Sequence, residues 1–161
     1  MKHWKPAVIA ALWSGALYAA PMPVVASFSI LGDVAQQIGG ERVAVQSLVG
    51  ANQDAHAYNL TSSDIKKIRE ARLVLLNGLG LEKAELQRAV KQSKVASAEA
   101  TAGIKPLAAD EHDHSHEHDH DHGEFDPHVW NDPVLMQRYA ANVAIALIKA
   151  DPAGSRYYQQ R

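Results

Sequence analysis

The chain has 161 residues and no cysteine, and its 16 basic and 18 acidic residues give a formal net charge of −2 at pH 7. A chain with this charge balance lacks the excess of positive charge that binds nucleic acid or an anionic membrane surface. The missing cysteines exclude disulfides and thiolate metal ligands, and the length suits one domain with a real hydrophobic core.

The first twenty residues have the pattern of a secretory signal peptide. Lys2 and Lys5 give a positive start, and an apolar run over residues 7–20 ends in small residues before Pro21. The run is shorter than the ~20 apolar residues of a membrane-spanning helix. A buried N-terminal helix is the alternative interpretation. We expect cleavage near Pro21 and, with no cysteine to carry lipid, a free periplasmic protein rather than a lipoprotein.

Strand and helix patterns alternate from residue 24 onward. In chain order they predict a strand over residues 24–28, a helix over 31–38, a strand over 43–49 and a polar loop over 50–59. Thr61 to Asp64 has the form of a capping box, which predicts a helix start.

The same alternation continues beyond that helix start. The patterns predict a helix to about residue 71, a doubly buried strand over 73–76, a turn over 77–80, a helix over 81–92 and a strand over 95–98. This order predicts an α/β fold, a single Rossmann-like lobe over residues 21–150 with a mostly parallel sheet flanked by helices. Ligands of such folds bind on loops beyond the carboxyl ends of the strands.

Residues 110–123 differ in composition from the rest of the chain. Six histidines alternate there with acids or serine, namely His112, His114, His116, His118, His120 and His122. Nothing apolar is available for burial, so we expect a disordered loop. Imidazole suits zinc, copper and nickel, and the flanking carboxylates attract cations, so the segment is predicted to bind metal weakly at several sites. A solvated charged loop without a metal role is the alternative.

Two further histidines lie in ordered settings. His128 precedes Asp132 and Pro133, a helix N-cap and first helical residue, and the helix over residues 134–149 is apolar enough to be predicted buried. His56 occupies a similar position in the loop after the second strand. A lone histidine is more often structural than a ligand, and spacing alone leaves both roles open for this pair.

Metal-ligating histidines need acceptors for their second ring nitrogen. Asp54, Asp126 and Asp132 are candidates, although turn and cap roles are the favoured interpretation of all three.

Three motifs in order give a resemblance to a known family. They are Asp54-Ala55-His56-Ala57-Tyr58 with Ser63-Asp64, the Asn77-Gly78-Leu79-Gly80 turn, and Asp126-Pro127-His128-Val129-Trp130 followed by Asp132-Pro133. Over residues 24–161 the chain resembles the zinc-uptake solute-binding proteins of bacterial ABC transporters. The histidine-rich insertion is similar to the zinc members of the group rather than to its manganese members.

The resemblance implies two α/β lobes joined by a long helix, with the metal held between them. His56 and His128 would be the ligands from the first lobe, and the second lobe would add a histidine and often a carboxylate. Residues 151–161 resemble the start of the connecting helix, so we expect the second lobe to be missing from this chain. Completion of the site by a partner is the alternative. The implied function is capture of periplasmic Zn²⁺ and its delivery to an ABC permease in the inner membrane.

Two other functions are weighed against this one. A zinc hydrolase needs three protein ligands and a general base, and the chain has no His-Glu-Xaa-Xaa-His helix, no Gly-Xaa-Ser-Xaa-Gly turn and no cysteine nucleophile. We therefore expect no enzymatic activity. A stand-alone zinc buffer or chaperone acting through the histidine-rich segment is the second alternative.

Overall fold

The computed structural model describes residues 20–105 and 125–161. The predicted signal peptide, apart from its last residue, and the histidine-rich segment lie outside the described residues. In the part that is described, no helix has the length and apolar character needed to span a bilayer.

A four-stranded parallel sheet forms the centre of the lobe. Its strands are β1 (Met22–Phe28), β2 (Val43–Val49), β3 (Leu73–Leu76) and β4 (Ala96–Glu99), in the order β2-β1-β3-β4. The predicted α/β class is confirmed. Because the chain moves to one side of β1 and then to the other, this order has a switch point beside β1, where open parallel sheets bind ligands.

Helices cover both faces of this sheet, as predicted. They are α1 (Ser29–Gly39), α2 (Ser62–Glu70), α3 (Ala84–Ser93), α4 (Pro133–Ala150) and α5 (Ser155–Gln159). Alternate residues of β1 face opposite layers, since Val24 and Ala26 pack in the core beneath α1 and α4 while Val25 packs beneath α2 and α3. Two hydrophobic cores therefore hold the strand ends in fixed positions.

α2 and α4 begin where the sequence signals predict, whereas α1 begins at Ser29, two residues before its predicted start. The Thr61 side chain accepts from the backbone of Asp64, and the Asp64 side chain accepts from the backbone of Thr61, so the capping box is confirmed. α3 begins at Ala84, three residues later than predicted. Leu81 and Glu82 are buried in the preceding turn instead, where the Glu82 carboxylate binds backbone N–H groups.

The prediction that most of α4 is buried was wrong. Asp132 caps the helix and Pro133 opens it, as expected, but burial follows only the face that carries Tyr139, Val143, Ala146 and Leu147. Val134 is 73% exposed and Ile145 49% exposed. A helix on the outside of an α/β layer needs only one apolar stripe, and additional apolar residues then lie in solvent.

The end of the described chain is fixed to the lobe. Arg42 donates through Nε and a terminal nitrogen to Asp151 Oδ2 (3.0 and 2.7 Å), and the Tyr158 hydroxyl donates to the same oxygen (2.6 Å). Burial alone would raise the pKa of Asp151, but the bonds from Tyr158 and Arg42 outweigh it and lower that pKa. Through Tyr158, α5 is thus held against the lobe.

Candidate metal centre

The structure brings His56 and His128 together although they are 72 residues apart in sequence. The two Nε2 atoms are 3.1 Å apart and the ring centroids 5.2 Å apart. His56 lies on the loop between β2 and α2, and His128 lies directly before the short 3₁₀ turn that leads into α4. Both loops lie at the edge of the sheet where the parallel strands end, which is the location that the sequence predicted.

The same local turn presents each histidine. Asp54 Oδ1 accepts the backbone N–H of His56 at 2.8 Å, and Asp126 Oδ1 accepts the backbone N–H of His128 at 2.9 Å. An aspartate that bonds the backbone two residues ahead forms an Asx turn. The spacing Asp-Xaa-His therefore gives both loops one backbone geometry, and the predicted turn roles of these aspartates agree with it.

Asp126 has an additional contact that the sequence analysis did not favour. Its Oδ1 lies 2.6 Å from Nδ1 of His128, so in the neutral ring Nδ1–H donates a hydrogen bond to the ionised carboxylate and Nε2 carries the free lone pair. The backbone N–H of His128 and this ring contact lower the pKa of Asp126 in spite of its partial burial. Ring orientation is further set by Trp130, which meets the His128 ring edge to face at 5.2 Å. A carboxylate on the distal nitrogen is the usual companion of a metal-ligating imidazole.

The spacing of the two Nε2 atoms fits a shared metal ion. Two nitrogens about 2.05 Å from a tetrahedral ion stand about 3.3 Å apart, and two adjacent ligands of an octahedral ion at that bond length stand about 2.9 Å apart. The observed 3.1 Å lies between these values. Small ring rotations therefore suffice for either geometry, and the distance itself does not select the ion.

The His56 loop is tied to α2 by a buried carboxylate. The Tyr58 hydroxyl donates to Asp64 Oδ2 at 2.7 Å, and Lys67 Nζ donates to Oδ1 at 3.1 Å. Burial alone would raise the pKa of Asp64, but the bonds from Thr61, Tyr58 and Lys67 outweigh it and lower that pKa to about 2. Burial and the bond to Asp64 raise the pKa of Tyr58 to about 12, so the phenol stays a donor at neutral pH.

The His128 loop is tied to the end of β3 by a buried amide. Asn77 Nδ2 donates to the carbonyl of Pro127 at 3.1 Å, and Asn77 Oδ1 accepts from the Tyr139 hydroxyl at 3.0 Å. Burial and the nearby Glu82 carboxylate raise the pKa of Tyr139 well above its ordinary value, which keeps its proton in place. The turn motif was visible in the sequence, but this role of Asn77 was not, because it depends on residues 50 and 62 positions away.

The described residues supply two imidazoles to this centre. Within residues 20–105 and 125–161, no group of three or more histidine, cysteine or acidic side chains is arranged to hold a metal ion. The other histidines proposed for metal binding, from His112 to His122, lie outside the described residues.

The parallel α/β lobe and its two converging imidazoles agree with the class that the sequence motifs resemble, the metal-binding solute-binding proteins of ABC transporters. The chain belongs to the family described as zinc-uptake complex component A, periplasmic (ZnuA), whose model matches residues 24–161. Members of this family are extracytoplasmic substrate-binding components of metal transport.

Relatives and solved structures agree on the family and differ in the metal they name. The chain is 35% identical to the manganese-binding lipoprotein MntA of Halalkalibacterium halodurans and 34% identical to the iron-binding protein YfeA of Yersinia pestis, in each case over 85% of this chain and 42% of the relative. The Mn-bound periplasmic metal binding protein from Candidatus Liberibacter asiaticus superposes with a TM-score of 0.73 at 34% identity, over 85% of this chain and 48% of that one.

Two consequences follow for the expectations from sequence. The chain spans less than half the length of these relatives, as the one-lobe interpretation requires. Several relatives are named lipoproteins, so the expectation of an unlipidated protein has no support among them.

Proposed function

We propose that this chain binds Zn²⁺ through His56 and His128 and serves as the first lobe of a zinc-capturing component that delivers the ion to an ABC permease. The observation that carries the proposal is the convergence of the two Nε2 atoms at 3.1 Å, each ring presented by its own Asx turn. Asp126 on the distal nitrogen of His128 supports it, because such a carboxylate fixes the tautomer and raises the basicity of the ligand.

Zinc is preferred over manganese on ligand chemistry. Imidazole nitrogen suits zinc, whereas manganese favours carboxylate, carbonyl and water oxygens, and manganese stands below zinc in the usual affinity order. The alternating histidines of residues 110–123 support the same ion, since a manganese protein gains little from additional imidazoles.

Competitive metal titration tests both the ligands and the ion. The six histidines of the 110–123 segment are first replaced by glutamine in the full chain, and this background is titrated with Zn²⁺ and with Mn²⁺. We expect one zinc site, tighter than the manganese site and lost in His56→Ala and in His128→Ala. Unchanged binding in both alanine variants contradicts the ligand assignment, and tighter binding of Mn²⁺ contradicts the choice of ion. Loss of all zinc binding in the background itself favours the alternative of a buffer acting through the histidine-rich segment.

Export belongs to the same proposal. The pattern of residues 1–20 supports a cleaved signal peptide, with residues 21–150 forming the metal-binding lobe and residues 151–161 beginning the helix between lobes. N-terminal sequencing of protein from the periplasmic fraction should find a start near Pro21. Recovery of a chain that begins at Met1 contradicts cleavage.

A further inference from the structure

The turn from Asn77 to Lys83 contacts both histidine loops. At one end, Asn77 Nδ2 donates to the carbonyl of Pro127, the residue directly before His128 (3.1 Å). At the other end, Lys83 Nζ donates to the carbonyl of Ala57, the residue directly after His56 (3.0 Å). Lys83 also donates to Asn59 Oδ1 in the same loop at 3.1 Å. One short segment therefore holds a backbone carbonyl next to each imidazole.

The turn itself is fixed by the buried carboxylate of Glu82, which is 6% exposed. Its Oε1 accepts from the backbone N–H of Asn77 (2.6 Å) and from the Ser27 hydroxyl at the end of β1 (2.7 Å), and its Oε2 accepts from the N–H of Gly78 (3.1 Å). Gly78 has a φ of +89°, a conformation open to glycine. These bonds fasten both ends of the turn to the sheet, so it can act as a rigid support.

The amide of Asn77 has one permitted orientation. The Tyr139 hydroxyl donates to Oδ1 at 3.0 Å, which leaves Nδ2 to donate to the carbonyls of Gly78 (3.0 Å) and Pro127. The side chain is fully buried, so a flipped amide would set its one oxygen against two carbonyl oxygens and leave both carbonyls without a donor. The position of Pro127 relative to β3 is thereby set.

We propose that Asn77 and Lys83 are positioning residues of the metal site, which together fix the separation and orientation of the His56 and His128 rings. The proposal rests on the ligand roles proposed above for those two histidines. Neither positioning residue touches the ion. Asn77 acts through the carbonyl of Pro127, and Lys83 acts through the carbonyl of Ala57.

Lys83 allows a test in which two explanations predict opposite signs. An ammonium group close to a cation site repels the cation, so electrostatics alone predicts that Lys83→Met binds metal more tightly. A positioning role predicts weaker binding, because the His56 loop loses its two bonds to the turn from Asn77 to Lys83 and must be ordered when metal binds. Lys83→Arg keeps the charge and the donors, so it should restore most of the affinity.

The experiment uses the full chain with the six histidines of residues 110–123 replaced by glutamine. Zinc affinity is measured by chelator competition, Co²⁺ spectra report ligand geometry, and thermal unfolding without metal reports stability. For Lys83→Met we expect about tenfold weaker binding, a changed Co²⁺ spectrum and little change in the melting temperature of the metal-free protein. Lys91→Met, at an exposed position in α3, is the matched control, and its zinc affinity, Co²⁺ spectrum and melting temperature should equal those of the background. Equal or tighter binding by Lys83→Met overturns the proposal for Lys83.

Asn77 is tested by Asn77→Asp, which keeps the acceptor for Tyr139 and loses the donor to Pro127. If this variant does not fold, Tyr139→Phe removes the single hydroxyl that orients the amide. Weaker zinc binding with a changed Co²⁺ spectrum is expected in the folded variant, and lower stability with unchanged affinity overturns the role of Asn77. Failure of the ligand assignment can be told apart from failure of the positioning proposal. If the ligand assignment is wrong, His56→Ala and His128→Ala bind zinc unchanged in the same background.

Discussion

Asp54 and Asp126 each stand two residues before a histidine, and the two side chains differ in what they reach. Both accept a backbone N–H in an Asx turn, but only Asp126 also lies within 2.6 Å of a ring nitrogen. The two carboxylates therefore carry the same charge, but only that of Asp126 contacts a histidine ring. A comparison of the two can therefore separate ring orientation from simple attraction of a cation.

Asp126→Asn should weaken zinc binding about tenfold, because a neutral amide is a poorer acceptor for the Nδ1 proton and no longer raises the basicity of His128. Asp54→Asn removes the same charge from the same region, and it should cost much less. Isothermal titration of both variants checks the difference. Equal losses in the two would mean that the effect of Asp126 is electrostatic only.

The buried carboxylate of Asp64 should make the stability of the lobe depend on acid. Its pKa lies at about 2 against an ordinary value of 3.8, so its contribution is fully present above about pH 4 and is lost as the pH falls towards 2. Asp64→Asn should therefore lower the free energy of unfolding by about 2 kcal/mol at pH 7 and should remove this part of the acid dependence.

Urea unfolding between pH 2 and pH 7 measures that dependence. Glu70→Gln is the control on the same helix, because the Glu70 side chain is 66% exposed and its ion pair with Lys66 should contribute little. A variant at Asp64 with the same acid transition as the parent would show that another carboxylate is responsible.

For single residues, the sequence predicts which side chains could bind a metal better than it predicts which side chains contact one another. Histidines in two short turns, each two residues after an aspartate, made His56 and His128 candidate ligands, and only the resemblance to a family favoured ligation over a structural role. The ring contact of Asp126 depends on a side-chain rotation, and the roles of Asn77 and Lys83 depend on loops that the fold brings near. No local pattern contains that information.

Elements whose signals are local were predicted most accurately. β2 and β3 have the predicted bounds, and α2 starts at the predicted capping box, since alternation and caps act over a few residues. α3 was predicted to start too early, because the burial of Glu82 beneath the turn is a tertiary effect. The apolar character of α4 indicated that most of its surface is buried, whereas only one face of the helix packs against the lobe.

The exposed and buried faces of α4 should respond differently to truncation. Leu147 is fully buried and Ile145, two positions earlier, is 49% exposed. Leu147→Ala should lower the free energy of unfolding by about 2–5 kcal/mol, through lost burial and a residual cavity. Ile145→Ala should change it by about 0.5 kcal/mol or less. Chemical denaturation of the two variants measures both values, and similar losses would mean that α4 packs differently from the arrangement described.

For the molecule as a whole, the two histidine loops and α5 are attached to one framework. α5 is fixed through Asp151, the His56 loop through Asp64 and Lys83, and the His128 loop through Asn77. The two imidazoles and α5 are therefore expected to move together when this framework moves. The relatives of about twice this length are the proteins in which such movement can be measured.

The slope of zinc affinity against pH should show how many imidazoles bind the ion. Histidine binds metal in its neutral form and its ordinary pKa is about 6.5, so protons compete with the metal below that value and hardly above it. When two imidazoles must lose their protons, affinity falls by up to about 100-fold for each pH unit below the pKa values, and one imidazole gives at most about tenfold.

Zinc titrations between pH 5 and pH 7.5 measure this slope in the chain whose histidines in residues 110–123 are replaced by glutamine. The chain with both His56 and His128 should approach the steeper limit, and any residual zinc binding that remains after loss of the site in His56→Ala should follow the shallower one. The affinity should also be modest at pH 7.5, because two nitrogens fill half of a tetrahedral shell and water must fill the rest. A pH-independent affinity down to pH 5 would mean that carboxylates hold the ion, since their protons are already lost at that pH, and the imidazole pair would then not be the site.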